Sequence, residues 1–383
     1  MKPRFLVIFF VILLIYSGLS FYIGWNGWLL LSYLFDFKNT GVYAIVIAVF
    51  AYAYLIGRAA YSTPLRPAAE ALKVIGSYWF AVLEYSVLIL PAANAISLVL
   101  KSAGVGKTVY IAGVGLSALA VMAALLLRGS RNAWSPVIRT YRVHVPKQSG
   151  KLQRLRIAMA SDLHLGSIVG NRHLERLIAK VEQINPDLIL LPGDILDDDI
   201  DPYLRKNMSA VLGKLKAPLG VYAVTGNHEY IGGKVPEFVA AMDAIGIRVL
   251  LDETALVADS FYVVGRKDKA SGGFAGDRRL SIEELTAPLD LSLPLILLDH
   301  QPSDIAKAAE NGIDISVSGH THRGQMMPNH LITRRLFELD WGYLKKGGLH
   351  AVVSSGFGTW GPPVRIGSRS EVVQIDVEFG SPV

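Results

Sequence analysis

The sequence predicts two parts, an all-helical membrane region followed by an α/β domain. Four apolar runs predict the first part, and each is long enough to cross a bilayer core, which takes roughly 20 residues. These runs are residues 5–23, 39–57, 74–100 and 108–127. The second part is predicted by short apolar strand patterns that alternate with amphipathic helical patterns after residue 128. Strands of this kind, separated by helices, indicate buried sheets covered by helices.

The first apolar run follows two basic residues, as the apolar core of a secretory signal peptide does. It continues to Phe35 without a small-residue cleavage site and a polar start after it, so we expect a retained helix. The connections on one side of four spans carry nine Lys and Arg residues, against three on the other side. Because basic loops remain in the cytoplasm, we expect a multi-pass cell-membrane protein with its α/β domain in the cytoplasm.

The charge balance argues against a nucleic-acid partner. The net charge is +6, but residues 1–127 hold 8 of the 38 basic and 3 of the 32 acidic residues, which leaves 30 and 29 for the rest. A nearly neutral soluble part lacks the basic face that nucleic acid requires. Cysteine is absent, which excludes disulfides and thiolate metal sites. Any metal must be held by nitrogen and oxygen, as Mn, Fe, Zn or Mg can be.

We expect the transmembrane helical region to occupy residues 1–127 and the α/β domain to occupy residues 151–383. Residues 128–150 mix basic, aromatic and proline residues, which is typical of a juxtamembrane linker leading into a first strand or hairpin. The strand patterns of the domain are residues 156–161, 188–193, 221–226, 295–300 and 315–320. Its helical patterns are residues 171–184, 234–246 and 303–312.

Polar residues follow each of the five strand patterns. In layered α/β folds, ligands gather at the carboxyl ends of strands, because loops converge there while the sheet holds them rigid. Five strand ends rich in His, Asp and Asn, with almost no Lys, predict a metal site. The residues are Asp162 and His164, then Asp194, then Asn227, His228 and Glu229, then His300, and finally His320 and His322.

These residue types suit chemistry with two metal ions. Two divalent cations about 3.5–4 Å apart can grip one phosphate and hold a bridging hydroxide, which requires a carboxylate that bridges both ions. Asp194 is the candidate bridge. Imidazoles and the Asn227 amide oxygen add neutral ligands that do not cancel the metal charge. Glycines precede Asp194, Asn227 and His320, where they leave room for close approach of the backbone.

The blocks D-x-H, G-D, G-N-H-E, a single H and G-H-T-H, in this order, resemble the calcineurin-like metallophosphoesterase superfamily over residues 156–378. The resemblance implies a four-layer αββα sandwich and a metal-dependent phosphoesterase. It implies that a metal-bridging hydroxide attacks a phosphoester or pyrophosphate. It also implies two ligand sets, Asp162, His164, Asp194 and His322 for one ion, and Asp194, Asn227, His300 and His320 for the other.

The same resemblance assigns His228 a role other than metal binding, at a phosphate oxygen or at the leaving group. It places an orienting carboxylate three residues after the bridging aspartate, which is Asp197 here, although Asp198 and Asp199 compete for the role. Residues 358–377 (GTWGPPVRIGSRSEVVQIDV), together with the helical N-terminal region, resemble the membrane-anchored bacterial metallophosphoesterases of the YkuE-like and YaeI-like group. Ser370 stands where that group often has proline before the glutamate.

Several residues near these motifs have two interpretations. Arg323 and Arg365 are candidate contacts for substrate phosphates, with structural ion pairs as the alternative. Residues 326–346 combine basic and aromatic side chains, which suits anionic headgroups or a lipid-like substrate, with simple packing on the domain as the alternative. The remaining histidines are predicted to be surface or packing residues: His144, His173, His330 and His350.

The sequence thus predicts a membrane-anchored phosphohydrolase or phosphodiesterase that uses two divalent metal ions. Its expected substrate is a phosphorylated small molecule or a lipid-linked one, with a membrane and no nucleic acid as its partner. The alternative is a membrane transporter or sensor in which the phosphoesterase-like domain is regulatory. Glu84 is the charged residue within the four apolar runs; it is a candidate for a transport or proton role, with a carboxyl that is simply protonated or paired between helices as the alternative.

Overall fold

The computed structural model describes residues 3–380, which form two compact units. The first unit runs through Gly129 and includes Gly361–Val364. The second unit comprises Ser130–Trp360 and the chain from Arg365 onward.

The first unit is helical. Its helices are α1 (Pro3–Phe35), α2 (Thr40–Ala60), α3 (Arg66–Ser102) and α4 (Val114–Trp134), with a π-helical turn at Thr108–Gly113 before the last. Four helical stretches are long and apolar enough to cross a membrane, in agreement with the four predicted spans. Only 6–17% of their most apolar windows is buried inside the protein, so most of these side chains face outward, as they would in lipid.

Residues 128–150, expected to be a linker, have regular structure over most of their length. Helix α4 continues to Trp134, and strand β1 (Val137–Val145) follows after two residues. Strand β1 pairs in parallel with β12 (Glu371–Phe379), near the other end of the chain. The strand is therefore part of a sheet, because its backbone groups find partners more than 200 residues away.

The second unit contains two six-stranded sheets. The strand order of the first is β1-β12-β2-β3-β4-β5, and that of the second is β10-β11-β9-β8-β7-β6. The further strands of the first sheet are β2 (Arg154–Met159), β3 (Leu188–Pro192), β4 (Val221–Val224) and β5 (Arg248–Val249). Those of the second sheet are β6 (Glu253–Val257), β7 (Phe261–Gly265), β8 (Leu295–Leu298), β9 (Ile315–Ser318), β10 (Gly342–Lys346) and β11 (Leu349–Val353).

The sheets pack face to face, with helices on the outer faces. A cluster that includes Ile157, Phe261 and Val317 joins the inner faces of the two sheets. A second cluster covers the first sheet with helical residues such as Leu177, and a third covers the other sheet with residues such as Leu285. This arrangement confirms the predicted four-layer αββα sandwich.

The short helices of this unit lie mostly between strands. They are α5 (Asn171–Ile184), α6 (Asp201–Arg205), α7 (Ser209–Leu212), α8 (Asn227–Ile231), α9 (Val235–Asp243), α10 (Ile282–Thr286), α11 (Ile305–Glu310) and α12 (His330–Leu336). Helices α5, α9 and α11 confirm the three helical patterns of the sequence, and the five predicted strands are β2, β3, β4, β8 and β9. Strands β2, β3 and β4 are parallel neighbours, as are β8 and β9, so the carboxyl ends of each set lie at one edge of its sheet.

Candidate metal centre

The carboxyl ends of these five strands bring together the seven side chains predicted as metal ligands. Asp162 and His164 follow β2, and Asp194 follows β3. Asn227 begins α8 just after β4. His300 follows β8, and His320 and His322 follow β9.

The first group of potential ligands is Asp162, His164 and His322. The ligand atoms of these three buried residues all lie within 4.8 Å of one another. Nε2 of His164 is 3.0 Å from Nε2 of His322. Nε2 of His322 is 3.5 Å from Oδ1 of Asp162. Two nitrogen atoms and a carboxylate oxygen thus converge on one point.

The second group is Asp194, His300 and His320, whose ligand atoms also lie within 4.8 Å of one another. Nε2 of His300 is 3.1 Å from Oδ2 of Asp194. The Asn227 amide oxygen is 2.9 Å from Nδ1 of His320 and 3.3 Å from Nε2 of His300. A neutral oxygen donor therefore completes this group.

Asp194 lies between the two groups. Its Oδ2 atom, which contacts His300, is also 4.0 Å from Nε2 of His164. Its Oδ1 atom accepts a hydrogen bond from the backbone N–H of His228 at 2.9 Å. One carboxylate thus faces both groups, as expected of a residue that bridges two ions.

Several observations show that these residues are suited to binding divalent cations. Oδ2 of Asp162 is buried and has no hydrogen-bond partner among the described residues. An orphaned buried carboxylate oxygen is costly unless a cation or donor satisfies it. The facing Nε2 atoms of His164 and His322 are 3.0 Å apart, close enough for both to reach one ion at a metal–nitrogen distance of about 2.1 Å. The donor set is nitrogen and oxygen alone, which suits Mn, Fe, Zn or Mg.

The protonation of the histidines differs between the two groups. Burial holds the pKa of His164 and the pKa of His322 well below the usual histidine value; the adjacent His322 adds to the effect at His164, and the Arg365 guanidinium adds to it at His322. Both imidazoles are therefore neutral, as metal ligands must be. Burial also opposes the charged form of His300, but the Asp194 carboxylate outweighs it and raises the pKa of His300 well above the usual value. In turn, His300 overcomes the burial of Asp194 and keeps the pKa of that carboxyl low.

Five of the seven residues have backbone conformations that side chains other than glycine rarely adopt. The φ angle is 53° at Asp162, 47° at His164, 51° at Asp194, 70° at His320 and 47° at His322. Such left-handed residues cost of order 1–3 kcal/mol each and cluster at functional sites. Two glycines make room for them, because a Cβ at Gly226 would collide with the Asp194 carboxylate and a Cβ at Gly319 would collide with that of Asp162.

His228 lies within the site, because one of its ring nitrogens and ligand atoms of His164 and Asp194 all lie within 4.8 Å of one another. Its Nε2 atom is 4.0 Å from Oδ2 of Asp194, and its Nδ1 atom is 2.7 Å from Oδ1 of Asp198. Burial disfavours the imidazolium, but the hydrogen bond to Asp198 and the nearby carboxylates outweigh it and raise the pKa of His228 to about 9. The ring is therefore protonated near neutral pH, with Nδ1–H directed to Asp198.

The structure corrects the expected partner of His228. Asp198, rather than Asp197, makes the contact. Oδ1 of Asp197 is instead 3.8 Å from Nδ1 of His164. Asp198 adopts a left-handed conformation, with φ of 54°, which turns its side chain toward His228. Residue spacing carries no information about that local turn, so the sequence could not choose among three successive aspartates.

Glu229 is a site residue to which the sequence assigned no role. Its buried carboxylate accepts hydrogen bonds from the backbone N–H groups of Gly226, Leu196 and Asp194, at 2.7, 2.9 and 3.2 Å. It thereby ties the loop after β3 to the loop after β4. Burial and the Asp194 charge raise the pKa of Glu229 to about 7, although the backbone donors oppose this. The feature of the sequence that could have indicated a role for Glu229 is its position in the G-N-H-E block.

Arg365, a predicted substrate contact, is instead buried within the protein. Its Nη1 atom donates to the Ser355 carbonyl at 2.7 Å, and its Nη2 atom donates to the Gly358 carbonyl at 2.6 Å. Nη2 also lies 3.3 Å from Nδ1 of His322. The side chain is fully buried. It therefore supports the loop behind His322, because the buried carbonyls of that loop require donors.

Arg323 has a different environment. Its guanidinium lies over the Trp341 ring, 3.9 Å from the ring centre, and its Nη1 atom donates to the Gly367 carbonyl at 2.8 Å. The side chain remains partly exposed. These contacts hold Arg323 beside the loop that carries His322, and its role at substrate stays a prediction.

Two of the remaining histidines have packing roles, as expected. His173 is buried, its ring stacks on Phe357 at 4.3 Å, and its Nε2 atom is 3.1 Å from the Phe357 carbonyl oxygen. Nδ1 of His350 lies 2.7 Å from the Tyr343 hydroxyl, and its Nε2 atom lies 3.0 Å from the His144 carbonyl oxygen. Within residues 3–380, the groups of potential metal ligands include none of His144, His173, His330 and His350.

Comparison with known proteins identifies the family. A protein named "Uncharacterized metallophosphoesterase" from Aquifex aeolicus (strain VF5) is 32% identical over 252 residues, which are 63% of this chain and 94% of that protein. Residues 155–324 match the family described as calcineurin-like phosphoesterase. The chain belongs to the calcineurin-like phosphoesterase family. All seven predicted ligands of this family member lie inside the matched segment.

Other relatives confirm the resemblance to membrane-associated members of the family. A "Transmembrane protein with metallophosphoesterase domain" from Danio rerio is 31% identical over 270 residues, which are 67% of this chain. The chain spans 61% of the length of that relative. "Uncharacterized metallophosphoesterase YkuE" from Bacillus subtilis (strain 168) is 28% identical over 224 residues, 57% of this chain and 77% of that protein.

The environment of Arg365 generates a stability prediction. Replacing Arg365 with Met leaves the buried Ser355 and Gly358 carbonyls without donors, so we expect the free energy of unfolding to fall by about 2–4 kcal/mol. Thermal unfolding of the detergent-purified protein measures the loss. Arg323→Met is the control, since a partly exposed arginine should cost less than about 1 kcal/mol. Unchanged melting of Arg365→Met together with a raised KM would show instead that Arg365 contacts substrate.

Proposed function

We propose that this chain is a membrane-anchored phosphoester hydrolase that uses two divalent metal ions. The observation that carries the proposal is the position of Asp194, whose carboxylate faces two separate groups of ligand atoms. One ion would be held by Asp162, His164, Asp194 and His322, and the other by Asp194, Asn227, His300 and His320. When bound, the two cations supply positive charge for the phosphoryl oxygens and acidify water as the nucleophile.

The proposed role of His228 follows from its geometry. Asp198 accepts the Nδ1 proton, so Nε2 faces Asp194 and the centre of the site. Because its pKa is raised, His228 carries a second proton on Nε2 that it can donate to a phosphoryl oxygen or to the leaving-group oxygen. Asp198 fixes the direction of the ring and stabilises its charge, which makes it a positioning residue.

The membrane anchor supports a substrate that is itself membrane-bound. Four helices are long and apolar enough to span a bilayer, and two residues separate the end of α4 from strand β1. So short a connection keeps the catalytic unit within reach of a membrane that α4 spans. We therefore include a phosphoester or pyrophosphate of a lipid-linked molecule in the proposed substrate class, and we place the catalytic unit in the cytoplasm by the distribution of basic residues.

Two substitutions test the assignment of the site. Asp194→Ala should abolish hydrolysis of a generic aryl phosphodiester and also remove bound metal, because both ligand groups lose their shared carboxylate. His228→Ala should lower kcat by about 10²–10⁴-fold, as for loss of a general acid, while metal content stays at the wild-type level. Phosphodiester turnover and elemental analysis of the purified, metal-loaded protein measure the two effects. Wild-type turnover by His228→Ala would contradict the role of that residue.

The run of three aspartates provides a matched comparison. Asp198→Asn should lower kcat at least about tenfold, because an amide cannot stabilise the charged His228 ring. Asp199→Asn should stay within about twofold of wild type, because the Asp199 carboxylate accepts a hydrogen bond from the backbone N–H of Asp201, a bond that an amide oxygen can keep. A large loss in Asp197→Asn, with normal turnover by Asp198→Asn, would restore Asp197 as the orienting residue.

The proposed orientation can be tested because the chain contains no cysteine. In cells that express Leu256→Cys, a membrane-impermeant maleimide should label the exposed residue only after permeabilisation, since the catalytic unit would face the cytoplasm. Lys107→Cys, in the connection between α3 and α4, should be labelled in intact cells. The reverse pattern of labelling would invert the topology.

A further inference from the structure

A group of exposed apolar side chains lies on the segments that flank the candidate metal centre. Its members project from residues 326–337 and from the loop after β11. We call these five residues the apolar rim: Met327, Leu331, Ile332, Leu336 and Trp360, which are 45%, 56%, 59%, 71% and 61% exposed. Helix α12, which supplies three of them, has no buried residue. Large apolar side chains clustered in this way mark an interaction surface more often than single ones do.

The apolar rim is held in a fixed shape by polar contacts beneath it. The Trp360 backbone N–H donates to the Gln325 side chain, which in turn donates to the Trp360 carbonyl, both at 3.0 Å. The Thr333 hydroxyl donates to the Asp340 carboxylate at 2.7 Å and so ties α12 to the loop before β10. The Met327 N–H donates to the Ile366 carbonyl at 2.9 Å. The exposed side chains therefore belong to an ordered surface.

The same segments adjoin the metal centre. Phe337, the residue after α12, contacts His320 edge to face, with ring centres 5.9 Å apart. Gln325, which holds Trp360, is three residues after His322. A body that covers the apolar rim would therefore lie at the edge of the proposed catalytic site.

Two cations accompany the apolar rim. Arg334 and Arg335 are exposed on α12 between Ile332 and Leu336. Among the described residues, neither has an ion pair with a carboxylate, whereas the nearby Lys346 is paired with Glu338. Exposed leucine and isoleucine beside unpaired arginines, with a tryptophan at the margin, are typical of surfaces that lie in the headgroup region of anionic membranes.

The chain itself indicates which body covers this surface. It carries four helices long and apolar enough to cross a membrane, and two residues separate the last of them from strand β1 of the α/β unit. If these helices span a bilayer, the α/β unit is tethered to it, so the local concentration of this apolar and anionic surface around the unit is high.

We propose that the apolar rim, with Arg334 and Arg335, docks into the headgroup region of an anionic lipid bilayer. Docking would set the orientation of the catalytic unit and place the edge of the metal site at the membrane surface. The proposal goes beyond hydrolysis and does not depend on it, because it concerns how a folded surface contacts lipid. It can therefore fail while the proposed activity stands, and the reverse also holds.

The test uses the full chain reconstituted in vesicles and the absence of native cysteine. An environment-sensitive nitrobenzoxadiazole label is placed on Leu336→Cys, and spin-labelled phospholipid is the quencher. The matched control is Leu256→Cys, which is 47% exposed on β6, at the opposite edge of the second sheet from β10. Vesicles are either pure phosphatidylcholine or phosphatidylcholine containing phosphatidylglycerol.

We expect the label at residue 336 to show blue-shifted emission and at least about threefold stronger quenching than the label at residue 256, because it lies among acyl chains and headgroups. Quenching at residue 336 should be stronger in vesicles that contain phosphatidylglycerol. Adding Arg334→Gln and Arg335→Gln should lower the ratio of docked to free units about fivefold for each charge removed. In phosphatidylglycerol vesicles, quenching should then approach the phosphatidylcholine level.

Three results would overturn the proposal. Equal quenching at residues 336 and 256 would show that the apolar rim does not enter the bilayer. A blue shift at residue 336 without lipid quenching would assign the surface to a protein, either a second copy or another partner. Quenching that is the same in both kinds of vesicle would remove the role of the arginines in recognising anionic lipid. Both labelled positions are exposed, so thermal unfolding and size-exclusion profiles should match those of the unlabelled protein.

Discussion

The Asp194 carboxylate is the constraint on which the candidate site depends. Its carboxylate faces both groups of proposed ligands, 4.0 Å from Nε2 of His164 and 3.1 Å from Nε2 of His300, so its position constrains the distance between them. Contacts with neighbouring residues hold the Asp194 side chain in this position. The N–H of His228 donates to Oδ1, His300 contacts Oδ2, and Glu229 accepts the backbone N–H of Asp194. Loops from both sheets must therefore be correctly placed before the carboxylate can serve both proposed ions.

The cost of this geometry is distributed along the loops. Left-handed backbone conformations at five proposed ligands are each unfavourable by of order 1–3 kcal/mol, and the αββα framework must compensate for them. The compensation is visible in the buried hydrogen bonds that support the loops. Glu229 ties together the loops after β3 and β4, and Arg365 satisfies two carbonyls behind His322. The core between the two sheets stays apolar, so polar support is concentrated at the strand ends where the ligands lie.

The sequence predicted the parts of the molecule that depend on local pattern. Strands β2, β3, β4, β8 and β9 are short apolar runs, each followed by polar residues, and parallel pairing brings such ends together. The pairing of β1 with β12 was not predicted, because it joins segments more than 200 residues apart and leaves no local signature. The choice of Asp198 over Asp197 depends on one left-handed φ angle. The role of Arg365 depends on the two backbone carbonyl groups that it contacts. The amino-acid type of a residue predicts neither its φ angle nor which carbonyl groups its side chain will contact.

Anchoring and orientation are separate physical problems for an enzyme that acts at a membrane. Apolar helices solve the first, since four spans hold a chain in the bilayer regardless of how the catalytic unit is turned. Spanning helices alone do not determine which surface of the α/β unit contacts lipid. A lipid contact on the α/β unit itself would select one surface, and the apolar rim is the proposed one: Phe337, the residue after rim member Leu336, has its ring centre 5.9 Å from that of His320. If both proposals hold, fixing the orientation before substrate arrives would lower the entropic cost of bringing a lipid-borne phosphate to the proposed metal ions.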